Sequence, residues 1–209
     1  NGAGKTTIMR IICGLSYPTS GSISLFGSEG KKDLQDARRK IGALIETPVF
    51  YPDMTARQNL RVQSVIRENS DKGQVEELLH MVGLEGAGNR RLRNFSTGMK
   101  QRYGLAVAML GKPEFLILDE PLNGLDVEGM DEISELLKSL CKEEGITILL
   151  SSHILSRLEG LATDYIFIDY GEIVEKISAN ELRSKVTGDL ENYFRNLVCH
   201  DVLGKGAAD

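Results

Sequence analysis

The chain opens with Asn1-Gly2-Ala3-Gly4-Lys5-Thr6-Thr7, which reads as the second half of a phosphate-binding loop of the pattern G-x-x-x-x-G-K-[ST]. Glycines in such a loop let backbone N–H groups converge on phosphate oxygens without obstruction by a Cβ. The helix that follows adds its positive end. In this role Lys5 reaches the β- and γ-phosphates, and Thr6 offers its hydroxyl to Mg²⁺. The full pattern needs a Gly two residues before Asn1 and a strand before that. The expectation is therefore a protein that extends upstream of Asn1. The ordinary alternative is a Gly-rich turn ahead of an amphipathic helix.

Further along, Phe115-Leu116-Ile117-Leu118 runs into Asp119-Glu120. A continuous apolar run suits a parallel strand buried on both faces, and ligands of such sheets bind beyond the carboxyl ends of the strands. Asp119 is then placed to hold Mg²⁺, directly or through water. Glu120 can face a γ-phosphate and orient or deprotonate water. Taken alone, the pair also fits a strand that ends in solvated acids. Ser151-Ser152-His153 follows a second apolar run, Ile146–Leu150, where a His can donate to a γ-phosphate oxygen or can be a plain surface residue. Asn94-Phe95-Ser96-Thr97-Gly98-Met99-Lys100-Gln101-Arg102 offers Ser96 or Thr97 as a helix cap. With Arg90, Arg91, Arg93, Lys100 and Arg102 nearby, that helix start can be a second anion site or a capped helix with a solvated basic face.

The elements that must position these groups follow from periodicity. Ile8, Ile11, Ile12 and Leu15 form an i, i+3, i+4, i+7 stripe that supports the first helix. Ser22-Ile23-Ser24-Leu25-Phe26 alternates polar and apolar as a half-buried strand does, and Ile41–Ile45 reads as another strand. Pro48 and Pro52 break regularity. Thr55–Asn69 and the stripe Val75, Leu78, Leu79, Val82, ended by Gly83, are helical, so 46–110 is a helical insert. From Glu114 short apolar strands alternate with helices: Phe115–Leu118, a helix with the stripe Ile133, Leu136, Leu137, Leu140, then Thr147–Leu150 and Tyr165–Ile168. That alternation predicts an α/β parallel sheet. Gly171, between Tyr165–Tyr170 and Ile173–Ile177, predicts a hairpin.

Composition bounds the function. The 209 residues are 41% hydrophobic and 26% charged, which leaves room for a sizeable core. Lys+Arg 25 against Asp+Glu 30 gives a net charge of −5, a poor footing for sequence-independent nucleic-acid binding. No run approaches the roughly 18 to 20 apolar residues that span a bilayer. Cys13, Cys141 and Cys199 are widely spaced, with no metal-ligand or disulfide pattern, which favours a reducing compartment. His80 and His200 receive no role.

The order of Gly2-Ala3-Gly4-Lys5-Thr6-Thr7, Phe95-Ser96-Thr97-Gly98-Met99, Phe115 to Glu120, Asn123-Gly124-Leu125-Asp126 and Ser152-His153 resembles the ATP-binding cassette of ABC transporters. These segments are similar to its Walker A, signature, Walker B with the catalytic Glu, D-loop and H-loop. Ile41 to Pro48 with Phe50-Tyr51-Pro52, Gly98 to Arg102, Ile177 to Leu182 and Leu190 to Phe194 resemble the bacitracin-resistance and lantibiotic-immunity type. Two motifs depart from the family pattern. Glu46 stands where the Q-loop Gln is usual, and the signature reads Phe-Ser-Thr-Gly-Met rather than Leu-Ser-Gly-Gly-Gln.

The resemblance implies a P-loop NTPase fold, a RecA-like core with a mostly parallel sheet and an inserted α-helical subdomain, its N-terminal strands lying upstream of this chain. It implies one cassette, with 1–45 and 111–188 as core, 46–110 as helical subdomain and 189–209 as tail. The implied ligands are ATP and Mg²⁺. Asn1, Gly2, Ala3, Gly4, Lys5, Thr6 and Thr7 would bind nucleotide in one subunit, and Ser96, Thr97, Gly98 and Asp126 would meet it from the other subunit of a head-to-tail dimer. Thr6, Glu46 and Asp119 would hold the metal, while Glu120, His153 and Lys5 would carry catalysis. The implied partner is a transmembrane permease subunit, reached through the helical insert and the Glu46–Pro52 loop. The implied place is the cytoplasmic face of the cell membrane, and the implied task is export, of a peptide antibiotic. A soluble ABC ATPase in DNA repair, translation or iron–sulfur assembly is the alternative. Repair ATPases carry long heptad segments and translation factors carry tandem cassettes, and this chain has neither. A nucleotide kinase leaves Ser96–Met99 and Asn123–Asp126 unexplained.

Overall fold

The computed structural model describes residues 2–67, 73–185, 190–195 and 197. Asn1, Asn69, Cys199 and His200 lie outside the described residues. The chain divides into two compact units, Met9–Ser151 and Asn1–Ile8 with Ser152–Asp209.

In Met9–Ser151, three strands form a parallel sheet in the order β1 (Ile41–Leu44), β2 (Phe115–Leu118), β3 (Thr147–Leu150). Leu44, Leu118 and Leu150 stand in one row across it. The middle strand has neighbours on both sides, and Leu116, Ile117 and Leu118 are fully buried, which is why its sequence is apolar without alternation. The crossover from β2 to β3 is α6 (Val127–Glu143), anchored by buried Ile133, Leu137 and Leu140.

The longer crossover from β1 to β2 carries the helices expected over 46–110. The first, α3 (Ala56–Ile66), starts in a capping box: Thr55 Oγ1 accepts from the Gln58 N–H at 3.2 Å, and the Thr55 N–H donates to Gln58 Oε1 at 2.9 Å. Next, α4 (Gln74–Met81) buries Val75, Leu78 and Leu79. Arg57 on α3 grips both Glu76 oxygens on α4, at 2.6 and 2.9 Å. Its hydrogen bonds hold the Glu76 carboxyl below the usual range. Arg67, just past α3, donates to the Leu110 carbonyl at 3.0 Å. That bond satisfies the end of α5 (Thr97–Met109).

Helix α5 lies directly on β1, and two glycines let it do so. A Cβ on Gly42 of β1 would sit 2.0 Å from the Ala108 carbonyl oxygen and 2.7 Å from Leu116 Cδ2. A Cβ on Gly104 of α5 would sit 2.8 Å from Leu44 Cδ1. No rotamer relieves a clash between a Cβ and a backbone oxygen.

Two sequence expectations are corrected. Ser22–Phe26 forms no strand; Leu25 makes an isolated bridge to Ser28 around a turn at Phe26-Gly27. The alternation reflects Leu25 and Ile23 packing with Leu34, Ala37 and Ile12, with α2 (Lys31–Arg38) supplying the first two. No described strand lies alongside to offer a ladder. The first helix, α1 (Lys5–Ile12), exists as expected, but its Ile8–Leu15 stripe is only partly covered, through Ile12 against Leu25, Leu34 and Ala37. Ile8 and Leu15 are exposed, and the residue of α1 that is buried is Met9. Arg38 donates to the Ile12 carbonyl at 2.9 Å, a cation at the helix's C-terminal end.

In the other unit, β4 (Asp164–Asp169) and β5 (Glu172–Ser178) form the expected antiparallel hairpin, followed by α7 (Ala179–Lys185). Phe167 packs against Tyr165, Tyr193 and Phe194 with ring centroids 6.3, 6.0 and 5.6 Å away.

The Gly42 contact gives a direct test. Gly42→Ala should destabilise the protein by about 1–3 kcal/mol, the range for overpacking, as a lower urea midpoint with unchanged m-value.

Candidate functional site

The C-terminal edge of the parallel sheet gathers the acidic residues. Asp119 directly follows β2, and its N–H donates to the Leu44 carbonyl at 2.8 Å. Its carboxylate is 7% exposed as a residue and accepts from Ser151 Oγ at 2.6 Å. Ser151 directly follows β3, so the in-register pairing of β2 and β3 brings the two side by side. The same Ser151 Oγ accepts from the Glu120 N–H at 3.0 Å. Glu120 has φ 51, a left-handed conformation uncommon for a residue with a side chain. Its carbonyl accepts from Gln101 Nε2 at 3.1 Å and from the Asn123 N–H at 3.1 Å.

The Ser96 region packs on the segment after these acids. Ser96 caps α5, its Oγ accepting from the Met99 N–H at 3.2 Å. A Cβ on Gly98 would lie 3.1 Å from the Gly124 carbonyl oxygen and 3.4 Å from Leu125 Cδ2. The Asn123–Asp126 segment thus lies against the tip of α5 in the same chain. Asp126 caps α6, its Oδ1 accepting from the Gly129 N–H at 3.0 Å. Of the expected cationic cluster, Arg93 pairs with Asp53 at 2.8 Å and Arg102 with Glu132 at 2.6 Å.

Glu46 lies two residues past β1, in a left-handed conformation with φ 61. It pairs with Arg10 Nη1 at 2.9 Å, a partner that sequence reasoning did not identify.

In the second unit, Gly2 and Gly4 have φ 86 and 101. The Ala3 carbonyl accepts from the Gly171 N–H at 3.0 Å, so the β4–β5 turn braces this loop. Lys5 and Thr6 open α1 and are half-buried, and Thr7 is exposed. His153 is exposed; before it, Ser152 Oγ accepts from the Ile154 N–H at 3.0 Å.

The donors proposed for a metal, Thr6, Glu46 and Asp119, are all oxygen atoms, the chemistry that suits a hard cation such as Mg²⁺. Among the described residues no group of three or more His, Cys, Asp or Glu gathers. A Mg²⁺ held by one or two carboxylates, with waters and phosphate oxygens completing its shell, does not need one. Thiolate chemistry has no support at Cys13, because burial pushes its thiol up to about 11 despite nearby Arg38.

Sequence reasoning passed over Ser151 and Gln101. The available signals were a hydroxyl at the end of an apolar strand and a glutamine one helical turn beyond Ser96-Thr97-Gly98.

Residues 1–123 match the ABC transporter family. The bacitracin transport ATP-binding protein BcrA of Bacillus licheniformis is 45% identical over 185 residues, 88% of this chain and 60% of that protein. The chain thus spans about three fifths of that relative's length. The lantibiotic transport ATP-binding protein SrtF of Streptococcus pyogenes is 46% identical over 201 residues, 95% of this chain and 82% of that protein. Among solved structures, the ATP-binding subunit of an ABC transporter superposes with a TM-score of 0.82 at 30% identity, covering 95% of this chain and 85% of that one. A dimeric ATP-binding cassette in a post-hydrolysis state, bound to ADP and phosphate, superposes with a TM-score of 0.77 at 26% identity, covering 85% and 81%. The fold is accordingly that of a P-loop ATPase cassette, α/β with a parallel sheet. Family match and relatives agree, and the chain belongs to the ABC transporter family, as one of its ATP-binding cassettes.

Proposed function

We propose that this chain binds and hydrolyses ATP to power export, of a peptide antibiotic, through a separate transmembrane permease subunit. The observation that carries the reading is the Asp119-Glu120 pair at the sheet edge, its carboxylate and backbone fixed by Ser151, in a chain 46% identical to a lantibiotic transport ATP-binding protein. The cassette comprises a core of 1–45 and 111–188, a helical subdomain of 46–110 and a tail of 189–209.

In the proposed reaction, the backbone N–H groups of 1–7 and Lys5 take the phosphates, and Thr6, Glu46 and Asp119 would hold Mg²⁺, which when bound offsets phosphate charge. Glu120 removes a proton from water as its oxygen bonds to the γ-phosphorus. The bond to the β–γ bridging oxygen breaks, ADP carries that oxygen away, and His153 donates a hydrogen bond to the transferring group. Such catalysis is mostly positioning and electrostatics. Two copies pair head to tail, with Ser96, Thr97, Gly98 and Asp126 of each facing the nucleotide of the other, and loss of the γ-phosphate loosens the pair.

The permease would dock on the Glu46–Pro52 loop and α3, at the cytoplasmic face of the membrane. No helix among the described residues is long and apolar enough to cross a membrane, so on this reading the pathway belongs to the partner. Val49 and Tyr51 are 82% and 52% exposed, and on α3 Val65 and Ile66 are 75% and 63% exposed. Between them Phe50 turns inward, edge-on to Tyr103 at 6.0 Å. Buried Asn59 fixes the loop by accepting from the Tyr51 N–H at 2.8 Å and donating to the Tyr51 carbonyl at 3.0 Å. An apolar surface on an ordered loop suits an apolar partner.

Three outcomes test the reading. Glu120→Gln should bind ATP normally and turn it over roughly 10²–10⁴-fold more slowly, the span of general-base catalysis; near-normal turnover removes Glu120 from the role. Val49→Asp with Tyr51→Asp should strip the protein of a co-purifying multi-span partner while leaving its own ATP binding intact, and undiminished co-purification would place docking elsewhere. Glu46→Gln should raise the Mg²⁺ concentration for half-maximal ATP hydrolysis about fivefold, since one charge near 4 Å in water-like surroundings is worth about 1 kcal/mol. An identical Mg²⁺ dependence would instead mean that Arg10 already neutralises Glu46.

A further inference from the structure

The backbone of Glu120 is held at both of its polar groups by side chains from elements remote in sequence. Its N–H donates to Ser151 Oγ at 3.0 Å, and its carbonyl accepts from Gln101 Nε2 at 3.1 Å. Ser151 comes from the end of β3 and Gln101 from the second turn of α5, which begins at the Ser96 cap. The residue so held has φ 51, a conformation that a residue with a Cβ keeps only when its surroundings over-determine it. Relaxing φ to the ordinary helical or extended region would rotate the bond to Cβ by about 110° or more. The Glu120 carboxylate would then swing away from wherever the native backbone aims it. Ser151 is buried, and its hydrogen is committed to Asp119 Oδ1 at 2.6 Å. Its lone pairs are therefore left for the Glu120 N–H, which makes it a two-sided brace.

We propose that Ser151 and Gln101 are positioning residues that clamp the Glu120 peptide in its left-handed conformation and so set the direction from which its carboxylate meets water. This rests on the reading of Glu120 as the base in ATP hydrolysis. The clamp separates chemistry from binding: without it the carboxylate is present but misaimed, so turnover falls while nucleotide affinity is kept. It also makes α5 a lever on the base. A shift of the helix that begins at Ser96 draws on the Glu120 carbonyl through Gln101, within one chain.

The test uses the full-length protein with saturating Mg²⁺. Ser151→Ala and Gln101→Ala should each lower kcat for ATP about tenfold or more, with KM within about threefold, since misplacement of a reacting group by about 1 Å can cost 10²-fold. Ser151→Thr keeps the hydroxyl and should recover most of the rate. In a Glu120→Gln background, single-turnover hydrolysis should fall no further than twofold on adding Gln101→Ala, because residues that act through one group are not additive. Equal losses in both backgrounds, or unchanged kcat in the wild-type background, overturn the clamp. Gln101, half-exposed on its helix, carries the test if Ser151→Ala fails to fold. Hydrogen exchange decides independently of activity: the Glu120 amide should exchange at least tenfold faster in Ser151→Ala while the β4–β5 amides keep their rates. An unchanged Glu120 amide refutes the clamp. Glu120→Gln turning over as fast as wild type sinks the reading of Glu120 as base, and the exchange measurement then still rules on the clamp itself.

Discussion

A carboxylate taken out of water must be given hydrogen-bond donors, and at Asp119 the pairing of two strands supplies one. The residue is almost fully buried, and an unpartnered charge there would cost more than a domain can spare. The Ser151 hydroxyl answers it with a short bond to a charged acceptor. That donor is in reach only because β2 and β3 run parallel with Leu118 opposite Leu150. A slip of one residue would turn Ser151 to the other face of the sheet. The parallel pairing in turn needs a crossover, and α6 supplies it by burying Ile133, Leu137 and Leu140. The apolar residues of β2 and α6 therefore hold the acidic Asp119-Glu120 pair at the sheet edge.

The second constraint is the approach of α5 to β1. Gly42 and Gly104 remove the two Cβ atoms that would hold helix and strand apart, so backbone meets backbone. A helix of 13 residues is about 20 Å long, and packing near its C-terminal end fixes where its N-terminal tip lies. Arg67 ties the same end to α3 through the Leu110 carbonyl. The tip at Ser96, Thr97 and Gly98 is held from that end as well as by its own contacts with Gly124 and Leu125.

What was legible in the sequence was what depends on neighbours in the chain. The Asp119-Glu120 edge, the Ser96 cap and the β4–β5 hairpin follow from local composition and periodicity, and each stands where the residues place it. What depends on a partner distant in sequence was not legible. Ser22–Phe26 has the alternation of a strand, but alternation reports only which side is buried, and no described strand lies beside it to complete a ladder. The Ile8–Leu15 stripe has helical spacing, and its Ile8, Ile11 and Ile12 lie on α1, which ends before Leu15, yet spacing cannot say which face is covered. Ser151 read as a step toward His153; its bond to Asp119 exists only once two strands separated by a long helix are in register. Arg10 gave no signal, since its pairing with Glu46 spans 36 positions.

Asp126 shows how these constraints meet. Its carboxylate caps α6 through the Gly129 N–H, an interaction worth about 1 kcal/mol. A Cβ on Gly129 would lie 2.7 Å from that oxygen and 2.8 Å from Arg102 Nη2. Arg102, one residue beyond Gln101 on α5, also donates to the Val82 carbonyl at 3.1 Å and pairs with Glu132 of α6. The starts of α5 and α6 are therefore fastened to each other side by side, and Gly98 fits against Gly124 because neither helix start is free to move alone. Glu120 begins the segment that leads into the α6 cap, and Gln101 on α5 reaches back to its carbonyl. Any displacement of the Ser96 tip must accordingly deform either the α6 cap or the peptide of Glu120.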